Sequence, residues 1–182
     1  SKSLFETLFK KYQHNEIIEI KFEDYRLCDI WRNIKFRIDL RYSKIIDVSM
    51  LGNVYSLNLS RCDNITDVSM LENVHTLDLS YCPNITDVSM LGKIHTLKLR
   101  WCSKITDVSM LGKLHTFNLS WCVNVTDVSM LGNVHTLNLS GCSNITDVSM
   151  LGKVDTLNLY LCVNISKYQI EELKKTVKNL KY

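Results

Sequence analysis

The chain has 182 residues, of which 46% are hydrophobic and 23% are charged, and its formal net charge is +3. This balance supplies a core for one domain, and it excludes a disordered tail and a strongly basic protein of the kind that binds nucleic acid. No apolar run approaches the ~18 residues that a membrane span requires, so we expect neither membrane nor nucleic-acid partners.

Residues 1–44 precede the regular part of the chain, and we predict that they form an N-terminal cap. Residues 4–12 carry an apolar helical face, and residues 16–22 are typical of a strand. Ile38 and Leu40 then match the Leu-x-Leu strand of the units that follow. The end of this segment is therefore interpreted as a degenerate first repeat.

Residues 45–164 consist of six copies of one unit of 20 residues, with no insertion or deletion. The copies begin at Ile45, Ile65, Ile85, Ile105, Val125 and Ile145. A single unit cannot bury its own apolar row, so consecutive units must stack. The repeat therefore predicts a solenoid.

The apolar spacing inside a unit predicts its local structure. In the first copy Leu57 and Leu59 alternate with polar residues, and this period of two directs the leucines to one side of a short strand. The full pattern, Leu-x-x-Val-x-x-Leu-x-Leu-x-x-Cys, resembles the leucine-rich repeat. The resemblance implies an α/β solenoid with parallel strands on its concave face. Because the unit is short, we expect turns or 3₁₀ turns on the convex face, with helical caps at the ends.

Stacking turns each position of the unit into a column of side chains. We predict that the Asp column caps the turn that follows it, with each carboxylate accepting a backbone N–H bond. A calcium ladder is the alternative, but the neighbouring columns supply no second carboxylate. The column consists of Asp47, Asp67, Asp87, Asp107, Asp127 and Asp147.

Six of the seven cysteines form a second column, and Cys28 alone lies outside it. The ~4.8 Å between strands exceeds the ~3.8 Å between the Cβ atoms of a disulfide, and a line of single thiols forms no zinc tetrahedron. We therefore predict buried free thiols, no metal or other cofactor, and a reducing cytoplasmic location. Asn-x-Ser/Thr sequences, which a secreted chain would glycosylate, favour the same location. The column is Cys62, Cys82, Cys102, Cys122, Cys142 and Cys162.

Four of the five histidines form a third column, with Tyr55 before it and Asp155 after it. Adjacent imidazoles can bind a transition metal or respond to pH. Flat packing along a polar edge needs neither a ligand nor a charge, and we predict this arrangement. The column consists of His75, His95, His115 and His135.

Residues 165–182 depart from the repeat, and we predict that they form an amphipathic helical cap. Ser166 and Gln169 have the spacing of a capping box. Apolar residues then follow at helical spacing, namely Ile170, Leu173, Val177 and Leu180. A membrane-binding helix is the alternative, but the position directly after the last repeat favours a cap.

The columns that face outward vary between copies, whereas the core columns barely change. Trp, Tyr and Arg dominate the energetics of protein interfaces, and large residues of these types gather in the middle copies. The alternative is that the rings stack only on one another as a stabilising ladder. The predicted partner-binding residues are Arg61, Asp78, Tyr81, Lys98, Arg100, Trp101, Trp121 and Tyr160.

No phosphate loop, nucleophile–base pair or metal-ligand spacing occurs in the sequence, so we predict that the protein is not an enzyme. The main hypothesis is a monomeric, cytoplasmic scaffold that binds a protein partner through its concave face and adjoining turns. Self-assembly through one end of the solenoid is a further hypothesis.

Two more resemblances bear on function. Residues 31–45 resemble the junction at which an F-box passes into cysteine-containing leucine-rich repeats, which implies an alternative role as a substrate adaptor of a ubiquitin ligase. The near-identity of the copies resembles the regular arrays encoded by large DNA viruses of amoebae and some protists. That resemblance implies recent duplication and interaction with host proteins.

Overall fold

Eight parallel strands form one sheet, in the order of the sequence, in a computed structural model that describes residues 37–182. Each strand has three residues, and equivalent residues of neighbouring repeats pair with each other, as Leu57 does with Leu77. The strands are β1 (Arg37–Asp39), β2 (Ser56–Asn58), β3 (Thr76–Asp78), β4 (Thr96–Lys98), β5 (Thr116–Asn118), β6 (Thr136–Asn138), β7 (Thr156–Asn158) and β8 (Asn179–Lys181). The predicted parallel sheet of a leucine-rich repeat solenoid is confirmed.

Of the N-terminal segment, the described residues begin at Arg37. β1 contains Ile38 and pairs with β2, so the degenerate repeat contributes a strand where the Leu-x-Leu match places it. The predicted helix and strand within residues 4–22, the F-box-like stretch before Arg37, and Cys28 lie outside the described residues.

Each repeat returns to the sheet through one 3₁₀ turn, as its short length predicts. The turns are Ser49–Leu51, Ser69–Leu71, Ser89–Lys93, Ser109–Leu111, Ser129–Leu131 and Ser149–Leu151. Within each turn the leucine is buried while the methionine before it is exposed; Leu111 is fully buried and Met110 is 63% exposed. The turn therefore closes the core with a single apolar side chain.

The core lies between the sheet and the 3₁₀ turns, along the whole array. In β2 to β7 the middle residue of the strand and the second residue after it point inward, and Leu97 and Leu99 are both fully buried. Because each repeat stacks its buried residues on those of its neighbours, the apolar columns form one continuous core.

The C-terminal cap is a helix followed by a strand. Helix α1 spans Lys167–Lys174, and the Ser166 hydroxyl accepts the backbone N–H of Gln169 at 3.2 Å, as the capping-box spacing predicts. The prediction of a helix continuing to Leu180 is wrong after Lys174. Leu180 instead lies in β8, because the last repeat leaves an open edge on β7 that this segment pairs with. No helix within residues 37–182 is long and apolar enough to cross a membrane.

Candidate binding surface

The Asp column caps the convex turns. The carboxylate of each Asp accepts the backbone N–H of the Ser two residues later, and the Asp107–Ser109 distance is 2.8 Å. The six bonds lie between 2.8 and 2.9 Å. This hydrogen bond is the main reason why the pKa of each carboxyl lies below its usual range. The predicted capping role is confirmed.

The lowered pKa of the Asp column predicts a loss of stability in acid. A carboxyl whose folded pKa lies below its unfolded value stabilises the fold above about pH 4, and this contribution is lost as the pH falls through the folded pKa. We expect the melting temperature of Asp107→Asn to fall less than that of wild type below about pH 4, because an amide oxygen accepts the same bond at any pH. Asp63→Asn, at an exposed position outside the column, is the control. An equal acid loss in wild type and Asp107→Asn would contradict the assignment.

The six column cysteines are free thiols buried in the core. Each Sγ lies 2.9 to 3.2 Å from the carbonyl oxygen of a leucine in the preceding repeat. Burial raises the pKa of Cys82 and Cys142 to about 12 and that of Cys102 to about 11. The prediction of free thiols is confirmed, and the column belongs to the core.

Burial of these thiols predicts that they are inert in the native protein. We expect Cys82, Cys102 and Cys142 to stay unmodified when the folded chain is treated with N-ethylmaleimide, and to react fully in urea. Peptide mapping by mass spectrometry would follow each site. Rapid labelling of Cys102 under native conditions would contradict the buried column.

The histidine column forms a flat stacked row. Neighbouring imidazole centroids lie 4.5 to 4.6 Å apart, and Tyr55 extends the stack beyond His75 at 4.5 Å. At the other end, Nε2 of His135 lies 3.2 Å from the carboxylate of Asp155. The predicted flat packing is confirmed. Within the described residues no three His, Cys, Asp or Glu side chains are grouped as a metal site would require.

A second stacked row occupies the turn at the carboxyl end of the strands. We call this row the aromatic ladder, and it consists of Tyr42, Arg61, Tyr81, Trp101 and Trp121. The guanidinium carbon of Arg61 lies 4.4 Å from the Tyr81 ring centroid and 5.5 Å from that of Tyr42. The Trp101 ring stacks on Trp121 at 4.8 Å and on Tyr81 at 6.3 Å. The ring stacking that the sequence offered as an alternative is therefore present.

All five ladder residues have a left-handed backbone. Their φ angles lie between 61° and 65°, and Leu161 at the end of the same column has φ 63°. A non-glycine residue in this conformation costs about 1–2 kcal/mol. Stacking of an aromatic pair contributes about 0.5–1.5 kcal/mol beyond the burial of the ring surfaces, so the stacking itself does little more than offset the backbone cost. The stacking alone therefore brings the fold little net stability.

Gly141 ends the ladder. It occupies the same column with φ 75°, and a Cβ atom built there would lie 2.6 Å from Cδ2 of the Trp121 ring. The free face of Trp121 thus lies against the backbone of Gly141. The absence of a side chain at Gly141 makes room for this contact.

The last residue of each strand from β1 to β7 lies beside the ladder, and its side chain caps the backbone at every one of these positions except Lys98. In the other repeats an Asn or Asp at this position accepts the backbone N–H two residues later, at 2.9 to 3.2 Å. Lys98 has no acceptor, so the N–H of Arg100 lacks this bond, which is typically worth about 0.5–1.5 kcal/mol. Lys98 instead pairs with Asp78 on the adjacent strand at 3.4 Å.

The structure brings together most, but not all, of the predicted partner-binding residues. Arg61, Tyr81, Trp101 and Trp121 are one continuous stack, and the Arg100 guanidinium lies 5.8 Å from the Tyr81 ring centroid. Tyr160 lies two repeats beyond Trp121, and its ring contacts Lys181 at 5.2 Å. Sequence reasoning missed Tyr42 and the left-handed backbone of the column. Gly141 was the signal for that backbone.

Comparisons with known proteins agree with this fold. Residues 71–91 match the model of the leucine-rich repeat family. No curated protein sequence is significantly similar to the chain. Internalin C2 of Listeria monocytogenes aligns with a TM-score of 0.54 at 23% identity, covering 78% of this chain and 67% of that one.

Two further solved structures come from the same bacterium. The internalin inlF aligns with a TM-score of 0.56 at 21% identity and covers 85% of this chain, which spans 55% of inlF. The functional domain of InlJ, which includes a cysteine ladder, aligns with a TM-score of 0.41 at 25% identity over 68% of this chain and 34% of that one. The likenesses to internalin C2 and inlF support the solenoid fold.

Proposed function

We propose that the chain binds a protein partner and is not an enzyme, a proposal supported by its leucine-rich repeat fold and by the family match over residues 71–91. Proteins built from such repeats generally serve as protein-interaction scaffolds, because a stacked array offers an extended surface. We place the partner on the aromatic ladder and on the adjoining strand positions, including Lys98 and Arg100.

The observation that carries this proposal is the cost of the aromatic ladder. Its side chains occupy a left-handed backbone position that glycine would fill without strain, as it does at Gly141. Trp101 is nevertheless 40% exposed. Residues held in a strained backbone conformation cluster at functional sites, and exposed Trp, Tyr and Arg are the types that anchor partners.

A library of phage-displayed peptides selected on wild type tests the proposal. Clones should bind Trp101→Gly and Trp121→Gly about tenfold or more weakly, since loss of an interface anchor typically costs at least that much. Glycine removes the ring and suits the φ of 62° and 65° at these positions, so the variants are expected to fold.

Tyr168→Ala is the matched control, because this tyrosine is 73% exposed and lies on α1 away from the ladder. Its loss should leave binding unchanged. Clones that bind both glycine variants as tightly as wild type would refute the ladder as the binding surface.

We also propose a cytoplasmic location. The six free thiols support a reducing compartment such as the cytoplasm. The ubiquitin-ligase adaptor role depends on the N-terminal segment, most of which lies outside residues 37–182, and no contact in the described part of the chain favours it. The viral resemblance stays a prediction, since the similar structures named above are bacterial.

A further inference from the structure

Tyr81, Trp101 and Trp121 each have a neighbour on both ring faces. Tyr81 lies between Arg61 and Trp101, and Trp101 is nearly parallel to Trp121, with an interplanar angle of 4°. The last ring, Trp121, covers Gly141. A ligand that stacks on ring faces, such as a nucleic-acid base or a sugar, must therefore compete with these neighbours between Tyr81 and Trp121. What the ladder turns toward solvent is a row of ring edges.

Ring edges attract negative charge. The quadrupole of an aromatic ring leaves its face negative and its edge positive, and the indole ring also carries an N–H donor. The edges of Tyr81, Trp101 and Trp121 follow one another along the array at the spacing of the repeats. This row suits acceptor groups on an extended chain better than a compact cation or a flat apolar ring.

Two cations lie close to the Tyr81 ring. Arg61 and Arg100 both lie near the Tyr81 ring, with guanidinium carbons 4.4 Å and 5.8 Å from its centroid. Neither guanidinium forms an ion pair with a carboxylate within the described part of the chain. An Arg stacked on a ring keeps the N–H donors at the rim of its planar group available, and a carboxylate can accept two of them at once.

The charges around Tyr81 are positive overall. Lys98 is 48% exposed at its side chain but shares its charge with Asp78, which lies 3.4 Å away. This pair is close to neutral, so the excess at the ladder comes from Arg61 and Arg100. Arg100 and Trp101 belong to the same repeat as Lys98. In this repeat the strand residue does not cap the backbone, whereas the Asn or Asp at the equivalent position of the other repeats does.

We propose that the aromatic ladder recognises an extended acidic segment of its protein partner, an inference that rests on the proposed binding function. Carboxylates of that segment pair with Arg61 and Arg100 and contact the edges of Tyr81, Trp101 and Trp121. The partner chain runs along the array, across the ends of successive strands, so that neighbouring acidic residues meet neighbouring repeats.

Three sets of short synthetic peptides test the charge preference directly. The sets share the same apolar residues and differ only in carrying Glu, Gln or Lys at the remaining positions. Wild type should bind the Glu set about tenfold or more tightly than the Gln set, and this advantage should shrink as salt rises, because exposed charges are screened. The double variant Arg61→Glu, Arg100→Glu should lose the advantage and favour the Lys set.

Lys113→Glu is the matched control, since this exposed lysine follows a 3₁₀ turn, away from the ladder. It changes the net charge by the same amount per residue and should leave the Glu preference intact. If the double variant is misfolded by circular dichroism, the salt dependence of wild type decides the question alone.

The outcomes separate this inference from the function on which it rests. Binding that needs Trp101 but favours the Gln or Lys set overturns the acidic partner and leaves the scaffold role standing. Tighter binding of single-stranded oligothymidine than of the Glu set, through the same residues, also overturns it. If no peptide set binds in a Trp101-dependent way, and the selected phage clones ignore Trp101 as well, the proposed function fails together with this inference.

Discussion

Leu111→Ala is expected to lower the free energy of unfolding by about 2–5 kcal/mol, the usual cost of removing a fully buried leucine side chain. Leu111 closes the 3₁₀ turn of a central repeat and is 0% exposed. Each repeat is stabilised by its two neighbours, so a cavity here weakens two interfaces of the array. Urea unfolding followed by circular dichroism measures the change.

Met110→Ala is the control for this prediction, because Met110 precedes Leu111 in the same turn but is 63% exposed. Its loss should change the free energy of unfolding by no more than about 0.5 kcal/mol. Equal effects of the two substitutions would mean that the inside and outside of the turn have been assigned wrongly.

Gly141→Ala is expected to cost about 2–3 kcal/mol. About 1–2 kcal/mol comes from placing an L-residue at φ 75°, and about 1 kcal/mol from displacing the Trp121 ring, which lies 2.6 Å from the position of the new Cβ atom. The two contributions can be separated because only the second depends on Trp121.

A double-mutant cycle makes this separation. In a Trp121→Gly background, Gly141→Ala should cost only the backbone contribution of about 1–2 kcal/mol. Urea unfolding of the four proteins gives the coupling. The same cost in both backgrounds would show that Trp121 does not lie over Gly141 in solution.

The repeated part of the fold could be predicted from the sequence because a fixed 20-residue period turns every position into a column. The alternation at Leu57 and Leu59 fixes which side of the strand is buried, and the recurring Asp before Ser predicts the cap of each 3₁₀ turn. These inferences need only local periodicity and the requirement that units stack.

The C-terminal cap shows where periodicity stops being informative. Val177 and Leu180 keep a spacing that suits a helix, yet Val177 is buried after the helix ends and Leu180 pairs with Leu157 in the sheet. The helix ends because the open edge of β7 offers hydrogen bonds, such as that from the backbone N–H of Leu159 to the carbonyl of Lys181 at 2.7 Å. A tertiary partner of this kind leaves no trace in local spacing.

The candidate surface was predictable in composition but not in conformation. Variation along one column indicated Tyr81, Trp101 and Trp121 as candidates. The left-handed backbone of that column was not predicted, because most of its residues are apolar or aromatic, and only a column rich in glycine would have indicated such a turn. Whether the rings expose their faces or their edges to solvent depends on the distances between rings of neighbouring repeats, such as the 4.8 Å between Trp101 and Trp121. Those distances arise only when the repeats are stacked.

The most direct test is an NMR titration of the chain with a peptide selected on wild type, observing the indole N–H signals of Trp101 and Trp121. Trp101→Gly and Trp121→Gly assign the two signals. Both indole signals should shift on binding, while the signals of backbone amides in the convex turns, such as that of Ser109, should stay unchanged. Shifts confined to the convex turns, with the signals of Trp101 and Trp121 unmoved, would contradict it.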